Sequence, residues 1–144
     1  EDDTADPAPQ KLRILLVDDE FELAQTLADL MAEDGHSFDF AVNGQIALDK
    51  LRSKEFDLIL SDLRMPVMDG PTMYRVICEQ IPRYRNRIIF LTGDTLTTFV
   101  HDFLEQNTVR FIEKPYTMPE VYRAMTEQLK DAQTQGTLAA TIPA

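Results

Sequence analysis

The chain has 144 residues, enough for one domain with a full core, and its 44% hydrophobic and 27% charged content is that of an ordinary globular protein. A formal charge of −11 argues against direct nucleic-acid binding, which needs a basic footprint, and no apolar run approaches the roughly 20 residues that insert across a bilayer. The single Cys78 excludes an intramolecular disulfide, and the distant His36 and His101 argue against a thiolate–imidazole zinc site.

Residues 1–10 (EDDTADPAPQ) hold four acids, two prolines and no cation, and read as an acidic linker or tail. This start is acidic and polar rather than basic then apolar, so no secretory leader is expected. The first strand is predicted over Leu12–Val17, followed by a helix over 20–34 with Phe21, Leu23, Ala24, Leu27, Leu30 and Met31 at helical spacing. A second strand, Phe38–Val42, precedes a short helix near 44–53. A third, Phe56–Ser61, precedes a helix near 70–81 that opens on Gly70-Pro71. The fourth strand, Arg87–Thr92, leads to a helix over 95–106, where Leu96, Phe99, Val100, Phe103 and Leu104 repeat at i, i+3, i+4, i+7 and i+8. The fifth, Thr108–Glu113, leads to a helix over 118–131, with Thr117 and Glu120 spaced as a capping box at its start. Residues 132–144 lack charge and sustained amphipathic pattern and read as a tail with partial helix. The domain proper is thus 11–131.

The first, third and fourth strands are nearly continuous apolar runs, which suits strands buried on both faces of a parallel sheet. The second and fifth mix in polar residues, as edge strands do. Five β-α units imply an α/β fold, a parallel sheet with helices on both faces. Ligands in such folds sit at the carboxyl ends of the strands. Those ends read Asp18-Asp19-Glu20, Asp62, Thr92 and Lys114-Pro115. Clustered carboxylates repel, so either a proton or a cation must join them. Carboxylate oxygens without sulfur or imidazole favour Mg²⁺. A carboxylate can take a phosphoryl group as an acyl phosphate, with an ammonium and a hydroxyl steadying its oxygens. Each residue alone also has a local reading as a helix cap, a turn former or a strand terminator. Their joint placement carries the functional reading.

The segments ILLVDDE (14–20), FDLILSDLRMPVMDG (56–70), IIFLTGD (88–94) and RFIEKPY (110–116) resemble, in order and spacing, the receiver domain of two-component systems; the resemblance spans roughly residues 11–131. It implies a flavodoxin-like (βα)5 doubly wound sandwich with strand order 2-1-3-4-5. It implies Asp62 as phosphoacceptor from a partner phosphohistidine, so the partner is a histidine kinase or histidine phosphotransfer domain. It also implies Mg²⁺, with Mn²⁺ as a substitute, held by Asp19 directly, Asp18 through water, Asp62 and the backbone carbonyl of Arg64. Lys114 is implied to contact the phosphoryl group, with Pro115 after a cis peptide bond, and Thr92 and Phe111 to form a switch pair. Phosphorylation would then remodel the face of the fourth and fifth helices and the strand between them, also the surface for a homodimer. The family regulates rather than turning over a metabolite; it catalyses its own phosphorylation and dephosphorylation in the cytoplasm. The wording around Thr92 and Lys114 is similar to receivers attached to hybrid histidine kinases. With no room for an output domain, the chain reads as a stand-alone receiver or one excised from a longer chain.

Arg64 and Asp94 are expected to border the site; the plainer reading, two solvated charges, is preferred, and the alternative is that they pair across the site as a gate that slows hydrolysis. Met65 and Met68 are expected to pack their loop on the sheet, and Cys78 to lie on the buried side of its helix. A haloacid-dehalogenase-like phosphatase would want an acid where Arg64 stands. A flavodoxin-like FMN binder would want a glycine- and hydroxyl-rich loop where Asp18-Asp19-Glu20 stand. A pseudo-receiver would not need intact Asp62, Asp19 and Lys114.

Overall fold

Apolar runs too short for helices alternate with 3.6-residue patterns, and the structure follows that alternation. The computed structural model describes residues 11–93, 98–107 and 109–141. In chain order these form β1 (Arg13–Val17), α1 (Phe21–Ala32), β2 (Ser37–Ala41), α2 (Gly44–Ser53), β3 (Leu58–Asp62) and α3 (Gly70–Gln80). A 3₁₀ turn (Pro82–Tyr84), β4 (Ile88–Thr92), α4 (Thr98–Asn107), β5 (Arg110–Glu113) and α5 (Met118–Thr141) follow. The sheet order is β2-β1-β3-β4-β5 and every pairing is parallel, the doubly wound order 2-1-3-4-5. The two polar-mixed strands are the edges, as their composition requires.

Strand alternation splits the core in two. Ile14, Leu16, Leu58, Leu60, Ile89 and Leu91 point to the layer of α1 and α5, where they meet Leu27, Met31, Val121 and Met125. Leu15, Val17, Ile59, Ile88 and Phe90 point the other way, onto Leu48, Leu51, Met73, Ile77, Val100 and Leu104 of α2, α3 and α4. Each such side chain contributes about 1.5–3 kcal/mol by leaving water.

Local chemistry fixes the helix starts. Asn43 Oδ1 accepts the Ile46 N–H at 2.9 Å, and Asp69 Oδ1 accepts the Thr72 N–H at 2.9 Å. Pro71 sits in the first turn of α3, where its missing N–H costs nothing. The capping box is formed: the Glu120 carboxylate accepts the Thr117 N–H at 2.8 Å, and Thr117 Oγ1 accepts the Glu120 N–H at 3.3 Å.

Two expectations change. α5 runs to Thr141 instead of ending near 131, because the Ala-, Gln- and Thr-rich stretch holds no proline before Pro143. On α1, Phe21, Leu23 and Leu30 are exposed although they share the apolar spacing. The buried arc is Ala24, Leu27, Ala28 and Met31, whose two alanines seat the helix close to the sheet and leave the larger residues on its flanks. Thr95–Thr97, expected in the fourth helix, and Thr108, expected in the fifth strand, lie outside the described residues.

Candidate functional site

Parallel pairing brings the strand carboxyl ends level. Val17 stands opposite Ser61, Asp62 opposite Leu91, and Thr92 opposite Glu113. The residues that follow therefore share one edge of the sheet. Asp62 closes β3; its Oδ1 accepts the Leu63 N–H at 2.8 Å and its Oδ2 lies 3.5 Å from Lys114 Nζ. Both side chains are largely shielded, which strengthens their attraction. On the other side, one carboxylate oxygen each of Asp18, Glu20 and Asp62 fall within 4.8 Å of one another. Asp18 is aimed by the Glu20 N–H, which donates to its Oδ1 at 2.8 Å. Burial pushes the Asp18 carboxyl above its ordinary range; the charges of Asp62 and Asp19 add to this, against the Glu20 N–H and Lys114.

Among the described residues, the carboxylates of Asp18, Glu20 and Asp62 gather beside the Lys114 ammonium, and the carboxylate donors are hard oxygens. That set fits Mg²⁺. Asp19 is exposed and stands outside the cluster, which Glu20 joins instead.

The loop after Asp62 is tightly held. Gly70 N–H donates to the Leu63 carbonyl and Gly44 N–H to the Met68 carbonyl, each at 2.8 Å. A Cβ on Gly70 would stand 2.9 Å from the Asp62 carbonyl and 2.9 Å from the Phe90 ring, so only glycine lets α3 start so close to Asp62. Val67 has a φ of 69°, a strained value for a β-branched residue. Met65 and Met68 pack against the core, as expected, and Arg64 is exposed at the start of this loop.

Thr92 is buried at the end of β4, and its carbonyl accepts the Lys114 N–H at 2.8 Å, tying β5 to the site. The Lys114–Pro115 peptide is cis. Phe111 lies on the edge strand β5, 40% exposed. Asp94 lies outside the described residues, so the expected pairing with Arg64 does too. Cys78 is half-buried, packed against the α2–α4 core beside Tyr74.

Sequence reasoning gave no role to two residues here. Glu20 was visible as the third acid after β1. Tyr116, two residues after Lys114, is half-buried against the α1–α5 core; burial raises its phenol, and Lys114, Asp18 and Asp62 all act on it.

A five-stranded parallel sandwich with acids and a lysine at its carboxyl edge defines a receiver-type phosphoacceptor fold. The chain belongs to the response regulator receiver domain family, whose profile matches residues 14–126. It is therefore not a member of a metabolic enzyme family. It is 30% identical over 115 residues to the transcriptional regulatory protein RprY of Bacteroides fragilis, a match covering 78% of this chain and 47% of that protein. It is 28% identical over 145 residues to histidine kinase 5 of Arabidopsis thaliana, covering 83% of this chain and 16% of that kinase. Among solved structures it is similar to the receiver domain of the sensor histidine kinase PA1611 from Pseudomonas aeruginosa PAO1, which has magnesium coordinated in its active-site cleft. The TM-score is 0.71 at 28% identity, covering 83% of this chain and 98% of that one. The chain spans about half the length of curated relatives such as RprY. No helix among the described residues is long and apolar enough to cross a membrane.

Proposed function

We propose that Asp62 accepts a phosphoryl group from the phosphohistidine of a histidine kinase or a histidine phosphotransfer domain. The observation that carries this reading is the position of Asp62 between Lys114, at 3.5 Å, and the carboxylates of Asp18 and Glu20. An Asp62 oxygen attacks phosphorus, the donor's P–N bond breaks, and the imidazole leaves with that electron pair. Lys114 and the Thr92 hydroxyl steady the phosphoryl oxygens. Asp19, Asp62 and the Arg64 carbonyl would hold Mg²⁺, or Mn²⁺ in its place, with Asp18 acting through water and Glu20 beside them. When bound, it neutralises charge on the carboxylates and the phosphoryl oxygens. Hydrolysis reverses the modification: water attacks phosphorus, the new P–O bond breaks, and the Asp62 carboxylate returns. An Arg64–Asp94 pair over the site would slow that water.

Phosphorylation draws Thr92 toward the phosphoryl group and lets the exposed Phe111 ring swing inward. The α4–β5–α5 face is thereby remodelled, and partners that bind its two forms unequally read the state. The same face serves a homodimer. The reading places the domain in the cytoplasm, alone or within a longer protein such as a hybrid histidine kinase.

Purified chain mixed with Mg²⁺ and a phosphorylated histidine phosphotransfer protein is expected to gain the mass of one phosphoryl group. Asp62→Asn and chelated samples are expected to gain none. Failure of the wild type to gain it from any competent donor, or equal gain by Asp62→Asn, would overturn the reading.

A further inference from the structure

The edge of the sheet opposite the carboxylates carries the reverse charge. Two clefts of about 560 and 600 Å³ run along the amino ends of the strands and share Glu55 and Phe56, forming one trough. Arg13, where the chain enters β1, lines one end; Arg83, Arg85 and Arg87, just before β4, line the other. Among the described residues none of these four guanidinium groups is paired with a carboxylate. Arg83 lies 4.9 Å from the Tyr84 ring centre and reaches the Leu51 carbonyl, and Arg87 donates to the Asp57 carbonyl. The trough's own acids are mostly engaged: Asp57 accepts the Arg13 N–H at 2.8 Å, and Asp39 is held by Lys50 and Lys54. A chain of charge −11 thus gathers on one edge four guanidinium groups that, among the described residues, have no carboxylate partner.

Such a surface suits a short acidic peptide, because each guanidinium can grip a carboxylate with two donors. The sequence supplies one, joined to β1 through Lys11 and Leu12: residues 1–10, with Glu1, Asp2, Asp3 and Asp6 and no cation. The reach suffices. Asp57 N–H pairs with the Arg13 carbonyl and Ile59 N–H with the Arg87 carbonyl, so Arg13 and Arg87 stand two strand spacings apart, about 10 Å. The five residue steps from Lys11 to Asp6 extend up to about 17 Å.

We propose that the acidic leader, residues 1–10, seats in this arginine trough. The carboxylate edge then stays open. Single surface ion pairs contribute little. Tethering, however, raises the leader's local concentration to about the millimolar range, and salt releases it. The inference does not depend on phosphotransfer.

The test compares amide NMR spectra of the full wild-type chain with those of a chain carrying Glu1→Gln, Asp2→Asn, Asp3→Asn and Asp6→Asn. These changes leave the folded body untouched. At low ionic strength, shift differences are expected at Phe56 and residues 83–87, and they should vanish near 1 M salt, where the Debye length is about 3 Å. A second chain with Arg83→Gln, Arg85→Gln and Arg87→Gln should move the leader's own amides to their high-salt positions. Identical spectra around residues 83–87 would overturn the proposal. So would differences centred on Lys114 and Arg64, which would put the leader at the carboxylate edge.

Discussion

Replacing Gly70 by alanine tests how closely the α3 start is built onto the acceptor strand. The added Cβ would meet the Asp62 carbonyl oxygen at 2.9 Å, Phe90 Cε1 at 2.9 Å and Leu63 Cα at 3.0 Å. Two of these are backbone and the third is the ring of a fully buried side chain, so none can step aside cheaply. Overpacking of this kind costs about 1–3 kcal/mol, and the stiffer unfolded chain returns about 0.4–1 kcal/mol. The net loss expected is about 1–2 kcal/mol, or roughly 2–6 °C in Tm for a domain of this size. Gly93→Ala is the matched control, because among the described residues its Cβ would meet only Lys114 Cβ, at 4.0 Å; a change within about 0.5 kcal/mol is expected there. Urea unfolding followed by circular dichroism reads both. Equal midpoints for the two variants would refute the claim that close approach, rather than general loop tolerance, fixes Gly70.

Other perturbations give signed outcomes. His36 is buried and its Nδ1 accepts the Leu12 N–H at 3.1 Å; burial lowers its pKa below 6.5, against the pull of Asp34. The unfolded chain therefore takes up the proton first, and stability present above about pH 6.5 is lost as pH falls below it. Urea midpoints between pH 7 and pH 5 should fall more in the wild type than in His36→Asn, which keeps an acceptor without titrating there. Asp39 sits near pKa 2: burial pushes it up, but hydrogen bonds from Lys50, Lys54 and the Phe40 N–H outweigh this. Its contribution is full above about pH 4 and is lost as pH falls toward 2. Asp39→Asn should cost about 1–2 kcal/mol at neutral pH, and the deficit should shrink in acid. Lys114→Ala removes the ammonium beside Asp62, so calorimetry should find Mg²⁺ bound at least as tightly while phosphorylation from a small phosphodonor slows.

Much of this arrangement could be read from residue order, because parallel β-α units send the ends of β1, β3, β4 and β5 to one edge whatever the packing detail. The edge strands were legible from Asp39 and Arg110 interrupting otherwise apolar runs, and the α5 cap from Thr117 and Glu120. What stayed hidden depends on rotation and packing. Asp19 and Glu20 lie in the turn between β1 and α1, where Glu20 is a non-helical N-cap, so the local backbone conformation decides which carboxylate lies nearer Asp62, and spacing does not specify it. The exposure of Phe21, Leu23 and Leu30 depends on how deeply Ala24 and Ala28 let α1 sit. The left-handed Val67 gave no signal, since valine is a poor choice for that conformation. Tyr116 drew no notice because its closeness to Asp18 and Asp62 arises only after the chain turns at Lys114–Pro115.

The central claim is that one carboxylate, Asp62, is the chemically modified group. Acetyl phosphate with Mg²⁺, followed by borohydride trapping and peptide mapping, tests it most directly. A single reduced residue at position 62, absent when Mg²⁺ is chelated, is the result expected. Modification at Asp18, Asp19 or Glu20 with Asp62 intact, or none with Mg²⁺ and donor in excess, would contradict it.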